Sequence, residues 1–483
     1  MASHSLLGLG VLSLWALVLT IQPYQALGSS RGSLGLITGS GAVDAAPPSG
    51  LCAAAVFVHG YECQEFNVIT DDGFILSMQR IPEGRAGGGG IHKQPVLLQH
   101  GVLVGEEINR ATLLKLKTVP SVQEECLDQM GNANPRHATG EADGGYKSIT
   151  ISSLNPKEWD LHHMGLSPSC IPMDGMTWLL TSPDQSLALI LADAGYDVWI
   201  ANTRGTRFSR RHLRLDPSNP AFWNWTWDDL VSHDLPAAID FVFKQTGQKT
   251  HYVGHSMGTL IALASFSEGK QIDKVRSAAL LSPIAYLSHM TTALGDVAAR
   301  AFAGEITTLF GLAEFNPRGA PVASFLKALC AYPGVDCFDL LSALTGNNCC
   351  LNASTVELFL KNEPQSTATK NMVHLAQTVR DGKLAKYDYG SADLNVEHYG
   401  EAKPPVYNLA NIPHNFPLFL SYGGRDALSD PRDVATLLDS LKLHDIDKLS
   451  VQYIKDYAHA DFIMGVSAKD LVYNQILTFL RRN

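Results

Sequence analysis

The chain has little basic charge. Its 37 Lys and Arg residues are outnumbered by 47 Asp and Glu residues, and the formal net charge is −10. Nucleic-acid binding requires a basic face that neutralises phosphates, so this class of function is set aside. The 41 Gly and 24 Pro residues show no period, which excludes a collagen-like chain. With 45% apolar and 17% charged residues over 483 positions, the composition is that of a globular protein with a sizeable core.

Long hydrophobic runs are absent beyond the N-terminus. The run from Leu6 to Thr20 is 15 residues long, too short for a bilayer span but suited to the core of a signal peptide. Ala26 and Gly28 supply the small residues that cleavage after Gly28 needs, although only His4 stands where basic residues usually precede the run. We predict a cleaved signal peptide over residues 1–28, with a retained membrane anchor as the alternative. No transmembrane segment is expected in the mature chain.

The last four of the eight cysteines lack companion histidines at zinc-finger spacing, which favours disulfides over a metal site. The eight cysteines are Cys52, Cys63, Cys126, Cys170, Cys330, Cys337, Cys349 and Cys350. They predict disulfide bonds in an oxidising, extracytoplasmic compartment, and their spacing does not reveal the pairing. The sequons at Asn224 and Asn352 would be usable for glycosylation on such a chain.

Short apolar runs that end in small or polar residues recur along the chain. They are PVLLQHG (95–101), YDVWIANTRG (196–205), HYVGHS (251–256), AALLSPIAY (278–286), PLFLSYGG (417–424) and LSVQYI (449–454). Such runs are typical of parallel strands covered by helices on both faces. Helical patterns separate them, including LALILADAGY, for which Ser182-Pro183-Asp184 is predicted as the cap. This alternation predicts an α/β fold with a mostly parallel sheet, preceded by a β-hairpin between Phe66 and Ile81.

Two segments interrupt the alternation. Residues 290–405 carry helical, cysteine-containing and Tyr-rich stretches and are too long for a loop, which predicts an inserted, mainly helical cap or lid. Residues 105–173 are polar and lack sustained periodicity, so they form an atypical insert. The predicted organisation is a linker over 29–52 and a core divided into 53–289 and 406–483.

A nucleophile motif lies between a strand and a helix-like run. The sequence Gly254-His255-Ser256-Met257-Gly258 follows HYVGH and precedes TLIALASFS. In this context G-x-S-x-G indicates a nucleophile elbow, a sharp turn that lifts the serine hydroxyl above the sheet edge. The alternative is a Gly-rich turn whose serine has no chemical role.

A serine nucleophile needs a base, and the base needs an orienting acid. Asp426 directly follows the strand PLFLSYGG and is predicted as the acid. Asp430 is the rival, but it precedes a helix-like run and a proline, so it is interpreted as an N-cap. His459 lies in the loop after the last strand and is predicted as the base. Asp456 and Asp461 stand too close in sequence to orient it and are interpreted as loop charges.

Backbone N–H donors must stabilise the oxyanion that develops during ester cleavage. Met257, directly after the nucleophile, is predicted to supply one donor. Val102 is predicted to supply the other from the turn after PVLLQ, with Leu103 as its neighbour. His100 is interpreted as a structural residue that braces this turn. The predicted chemistry requires no metal and no organic cofactor.

Seven motifs occur in an order that resembles the acid lipase family. They are LQHGVL, LILADAGYDVWIANTRGT, FWNWTWDDL, DLPAAIDFV, YVGHSMGT, YGGRDAL and YAHADF. This family of α/β-hydrolases contains gastric and lysosomal acid lipases and plant triacylglycerol lipase 2-like proteins, and the resemblance covers about residues 60–104 and 174–483. It implies a secreted or vacuolar/lysosomal serine hydrolase that acts on acylglycerols or sterol esters at a transient lipid interface. It also implies Ser256 as nucleophile, Asp426 as acid, His459 as base, and a lid over the site.

The segment 105–173 departs from the family pattern. Joining Val104 to Asp174 restores the continuity that relatives show between a stretch like HGVLV and one like DGMTWLL. We interpret the insert as a retained intron or a gene-structure error that kept the reading frame. The alternative is a functional elaborated loop, which would emerge directly beside the predicted oxyanion donor Val102.

Three functions remain open at this point. The leading prediction is a serine lipase or esterase that works through an acyl-enzyme. Acyl transfer to another alcohol is the nearest chemical alternative. A non-catalytic lipid-binding protein on the same scaffold is the alternative from a different class, and the presence of Ser256, Asp426 and His459 together argues against it.

Overall fold

The computed structural model describes residues 50–87, 93–102, 175–291, 311–316, 345–362 and 365–483. The predicted signal peptide, nearly all of the linker, the insert 105–173 and Leu103 lie outside the described residues. Within the described ranges, none of the helices is both long and apolar enough to cross a membrane.

Ten strands are present in the described part of the chain. They are β1 (Gln64–Ile69), β2 (Ile75–Ile81), β3 (Pro95–Gln99), β4 (Asp197–Ala201), β5 (Thr250–His255), β6 (Val275–Leu281), β7 (Glu314–Phe315), β8 (Thr367–Ala368), β9 (Leu418–Gly423) and β10 (Leu449–Ile454). Eight of them form one sheet in the order β1-β2-β4-β3-β5-β6-β9-β10. Strand β2 pairs antiparallel with both neighbours and the remaining pairs are parallel. The predicted α/β fold with a mostly parallel sheet is confirmed.

The predicted hairpin is confirmed as β1 and β2, which pair in register from Gln64 opposite Arg80 to Ile69 opposite Ile75. The turn between the strands closes because the N–H of Thr70 donates to the Phe74 carbonyl. Gly73 stands in this turn at a φ of 100°, where a side chain would be strained.

Helices cover both faces of the sheet. The α-helices are α1 (Leu187–Asp193), α2 (Trp227–Asp229), α3 (Leu235–Thr246), α4 (Met257–Ser267), α5 (Ala353–Asn362), α6 (Thr369–Asp381), α7 (Ala392–Tyr399), α8 (Pro431–Ser440), α9 (Asp461–Met464) and α10 (Asn474–Arg482). Five-residue π-helical segments, Leu230–Asp234 and Lys469–Tyr473, lead into α3 and α10. The predicted cap of α1 is wrong: the carbonyl of Ser182 closes a separate turn with Gln185, and the helix begins at Leu187.

The central strands β3 and β4 are almost wholly apolar because both of their faces are buried. Leu97 of β3 and Trp199 of β4 pack into a hydrophobic cluster with α3 and α4. Val96 and Leu98, the alternate residues of β3, pack into a second cluster with α1 and α10 on the opposite face. The sheet is therefore the middle layer of three, and its strand ends have fixed positions.

The chain between β6 and β9 contains α5, α6, α7 and the two-stranded pair β7–β8 within its described ranges. This content agrees with a mainly helical insertion, and the boundaries 290–405 stay a prediction. In the described part of the chain, two disulfides are formed, Cys52–Cys63 and Cys349–Cys350. The other four cysteines lie outside the described residues.

Candidate active site

Ser256 forms the sharp turn between β5 and α4. Its φ of 56° and ψ of −124° are unusual for a residue with a side chain, and such strain concentrates at functional sites. The flanking glycines permit the turn, because a Cβ at Gly258 would lie 2.6 Å from the carbonyl oxygen of Gln99. A Cβ at Gly254 would lie 2.9 Å from the Gly258 carbonyl oxygen. The sequence motif therefore has the local geometry of a nucleophile elbow.

The turn after β3 lies directly against Ser256. A Cβ at Gly101 would lie 2.5 Å from the Ser256 Cβ and 3.0 Å from its Oγ. Val102 follows in the same turn and packs against the core, and Met257 is the first residue of α4. N–H groups in the first turn of a helix have no acceptor within the helix, so the Met257 N–H can donate to a ligand.

His100 braces this turn. Its Nδ1 donates to the carbonyl of Gly101 at 2.7 Å, and its Nε2 accepts from the N–H of Thr203 at 3.1 Å. Burial lowers the pKa of His100 to about 4, so the ring is neutral with both nitrogens engaged. The predicted structural role of His100 is confirmed.

Arg204, next to Thr203, anchors the same region to the hairpin. Its guanidinium is fully buried, bridges Asp72 and Asp234 at 2.6 Å each, and lies 4.0 Å from the centroid of the Phe74 ring. Burial opposes the charge, but the two carboxylates raise the pKa of Arg204 above its ordinary value. Sequence reasoning missed this network, although the motif NTRG contains its central residue.

The predicted acid and base are in contact. The Nδ1 of His459 lies 3.0 Å from both carboxylate oxygens of Asp426, and both side chains are fully buried. The N–H groups of Leu428 and Ser429 donate to Asp426 at 3.0 and 2.7 Å. Burial alone would raise the pKa of Asp426, but the charge and hydrogen bond of His459 and the Ser429 N–H lower it overall. The carboxylate is therefore held ionised beside the imidazole.

His255 links the predicted base, His459, to the turn at Ser256. Its Nε2 donates to the His459 carbonyl at 3.0 Å, and the two ring centroids are 4.8 Å apart. Burial lowers the pKa of His255 to about 3, and this ring stays neutral. The Oγ of Ser256 and the Nε2 of His459 are both buried, and neither has a hydrogen-bond partner among the described residues. In unliganded serine hydrolases the hydrogen bond between the serine and the histidine is often long, and it shortens only when substrate binds.

The other acidic candidates have different positions. Asp430 caps α8 by accepting the N–H of Arg432 at 2.8 Å, which confirms its N-cap interpretation. Asp456 is exposed and pairs with Arg425, as expected for a loop charge. The loop-charge interpretation of Asp461 is wrong, because its side chain is buried and accepts three backbone N–H groups.

A cleft opens at the turn that follows β3. It is lined by residues 100–102, by Thr203, Arg204 and Thr206, and by residues 365–367 from the insertion. The lining offers hydroxyl and backbone groups close to Gly101. Among the described residues, one cluster, Asp71, Asp72 and His233, has metal-ligand geometry. Its members already have protein partners, because Asp72 pairs with Arg204 and the Nδ1 of His233 lies 2.6 Å from a carboxylate oxygen of Asp71.

Two family models match the chain. One, described as "Partial alpha/beta-hydrolase lipase region", matches residues 53–106, and the other, described as "alpha/beta hydrolase fold", matches residues 183–466. The chain belongs to the α/β-hydrolase lipase family. The segment between these matches contains most of the atypical insert.

Curated relatives are similar over most of the chain. Triacylglycerol lipase 2 of Arabidopsis thaliana is 52% identical over 461 residues, which cover 94% of this chain and 92% of the relative. Triacylglycerol lipase 1 of the same plant is 32% identical, with coverage of 92% and 94%. Human gastric triacylglycerol lipase is 31% identical, with coverage of 87% and 88%. The predicted resemblance is confirmed, and the chain is an enzyme of the lipase/esterase class.

The contact between Gly101 and Ser256 gives a first prediction. Gly101→Ala should reduce kcat by about 10²-fold, because the new methyl group displaces Ser256, the predicted nucleophile, or the turn after β3. Gly60→Ala is the control: Gly60 has a φ of 78°, but a Cβ there would have no neighbour within 4 Å, so it should lower the Tm without changing kcat. Steady-state kinetics on a soluble ester measure both, and an unchanged kcat in Gly101→Ala would contradict the assigned geometry.

Proposed function

We propose that the chain hydrolyses acylglycerols or related lipid esters through a Ser256–His459–Asp426 triad. One observation carries the proposal: a buried His459–Asp426 pair follows β9 and β10 at the same sheet edge where the strained Ser256 follows β5. Residues that follow the carboxyl ends of parallel strands converge at that edge. Ser256 Oγ and His459 Nε2, which have no hydrogen-bond partner in the described ranges, are the two atoms between which the proton moves.

The first half-reaction forms an acyl-enzyme. The Nε2 of His459 takes the proton from the Ser256 hydroxyl while Oγ attacks the ester carbonyl carbon. Asp426 stays ionised, keeps the Nδ1 proton of the imidazole in place and stabilises the imidazolium. The tetrahedral oxyanion accepts hydrogen bonds from the backbone N–H groups of Val102 and Met257. When this tetrahedral intermediate collapses, the bond between its carbon and the alcohol oxygen breaks, and the leaving alcohol takes the proton from His459.

The second half-reaction releases the fatty acid. Water gives a proton to His459 and attacks the acyl carbon, and the second tetrahedral intermediate uses the same oxyanion donors. When this intermediate collapses, Ser256 regains its proton and the carboxylic acid leaves. The chain's own residues supply each proton transfer in this sequence.

The relatives and the covalent features support the substrate class and the compartment. Three relatives are named triacylglycerol lipases, which favours acylglycerols, with sterol esters as the second substrate class. The Cys52–Cys63 disulfide supports an oxidising compartment, and with the signal-peptide pattern it favours a secreted or vacuolar/lysosomal location. Transient contact with a lipid interface follows from the insolubility of long-chain substrates.

A graded ester series tests the proposal. The protein is assayed on p-nitrophenyl esters of increasing chain length, on triacylglycerol emulsions and on a sterol ester, and free fatty acid is titrated. We expect fatty acid release from triacylglycerol and stoichiometric labelling of Ser256 by a fluorophosphonate. Release only to an added alcohol acceptor would assign acyl transfer, and absence of both labelling and turnover would assign a lipid-binding role.

A further inference from the structure

Asp461 is a buried carboxylate two residues after His459. It is the first residue of α9, and its side chain accepts the N–H of Ala458 at 2.8 Å, of Cys349 at 3.2 Å and of Cys350 at 3.1 Å. Among the ion pairs of the described residues, none includes Asp461. Burial raises the pKa of Asp461 to about 6, and the three backbone donors oppose the rise. A buried carboxylate costs free energy unless such donors satisfy it.

The donors come from a segment that contacts both loops of the proposed triad. Residues 345–351, named here the clasp segment, follow the part of the insertion that lies outside the described residues. The carbonyl of Thr345 accepts the N–H of His459 at 3.1 Å and of Ala427 at 3.4 Å. The Oδ1 of Asn348 accepts the N–H of Ala460 at 3.1 Å. The clasp segment therefore bridges the loop of the acid and the loop of the base.

We infer that Asp461 is a positioning residue for the catalytic base: its carboxylate joins the clasp segment to the His459 loop and so sets the imidazole between Asp426 and Ser256. This inference rests on the proposed triad. The oxygens of Asp461 are occupied by backbone N–H groups of the clasp segment and of Ala458, so the carboxylate acts on the loop rather than on substrate. Small displacements of a catalytic group reduce turnover steeply, so the connection that fixes the His459 loop should affect kcat.

The variant Asp461→Asn tests the tie at pH 8, where the native carboxylate is ionised. Asparagine has the same size, but its NH₂ group would face a backbone N–H donor and lose at least one of the three bonds. We expect kcat on a soluble short-chain ester to fall by about 10- to 100-fold with KM unchanged. Complete titration by a fluorophosphonate should still label one serine per chain, at a slower rate per site.

The titration separates positioning from a merely structural role. If Asp461 only stabilised the fold, the labelled fraction would fall while the rate per labelled site stayed native. Asp456→Asn is the matched control, because this exposed carboxylate in the same loop undergoes the same charge change and should leave the rate native. Asn348→Ala removes the parallel tie to Ala460 without changing charge and should reduce kcat to a smaller extent.

The possible outcomes distinguish failure of the inference from failure of the proposed triad. A native rate per titrated site in Asp461→Asn, with Ser256→Ala inactive, overturns the inference and leaves the triad in place. Substantial activity in Ser256→Ala overturns the triad and the inference together. If Asp461→Asn yields no folded protein, Asn348→Ala decides: a slower rate per site supports the clasp segment's role, and a native rate overturns it.

Discussion

Ser256→Ala is expected to reduce ester hydrolysis by about 10⁴-fold or more, because the substitution removes the oxygen that is proposed to form the acyl-enzyme. The fold should be preserved, since Ser256 Oγ makes no hydrogen bond with the described residues and its loss leaves no partner unsatisfied. The measurement is kcat/KM on a soluble ester, accompanied by fluorophosphonate labelling and thermal unfolding. A residual rate is expected, because the oxyanion donors and substrate binding remain.

Ser265→Ala is the matched control for this variant. Ser265 lies on α4, is fully buried, and its hydroxyl also lacks a hydrogen-bond partner within the described part of the chain. Removing a buried hydroxyl without a partner relieves a desolvation cost, so this variant should be folded and fully active. Retention of native activity by Ser256→Ala would eliminate Ser256 as the nucleophile, whatever the effect of Ser265→Ala.

The fold follows from local patterns that the structure confirms. Runs such as PVLLQ and DVWIA are almost wholly apolar because both faces of the sheet are covered, and that pattern is visible in a short window of the sequence. The same reliance on local pattern explains why the predicted cap of α1 is wrong. Ser182-Pro183-Asp184 has the composition of a cap, but its backbone closes a turn of its own before Leu187, and composition does not distinguish the two.

Some residues of the candidate site could be predicted from local sequence and others could not. Ser256, Asp426 and His459 each follow a recognisable strand, so their position at one edge of the sheet could be predicted from the order of strands along the sequence. The roles of Asp461 and His255 could not. Asp461 binds backbone N–H groups that lie 111 and 112 positions away, and His255 binds a backbone carbonyl 204 positions away. Backbone groups carry no sequence signature, so only the folded chain shows which of them a buried side chain meets.

The second large effect is expected at Asp426, the proposed acid. Asp426→Asn should reduce kcat by about 10³- to 10⁴-fold, because an amide cannot stabilise the imidazolium of His459 and favours the wrong tautomer. Asparagine keeps the size of the side chain and an oxygen that can accept the N–H groups of Leu428 and Ser429. The fold should therefore persist, and kcat measured across pH should stay low wherever the native enzyme is active.

Asp430→Asn provides the control that also tests the rival acid. Asparagine is as good an N-cap as aspartate, so α8 should remain capped and activity should be native. The dependence of stability on pH gives a second test of Asp426→Asn. The pKa of Asp426 is lowered in the fold, so its contribution is present above the ordinary aspartate value and is lost as the pH falls through the lowered one. In Asp426→Asn, this loss of stability at low pH should be absent. A loss of activity in Asp430→Asn but not in Asp426→Asn would instead assign the role of the acid to Asp430.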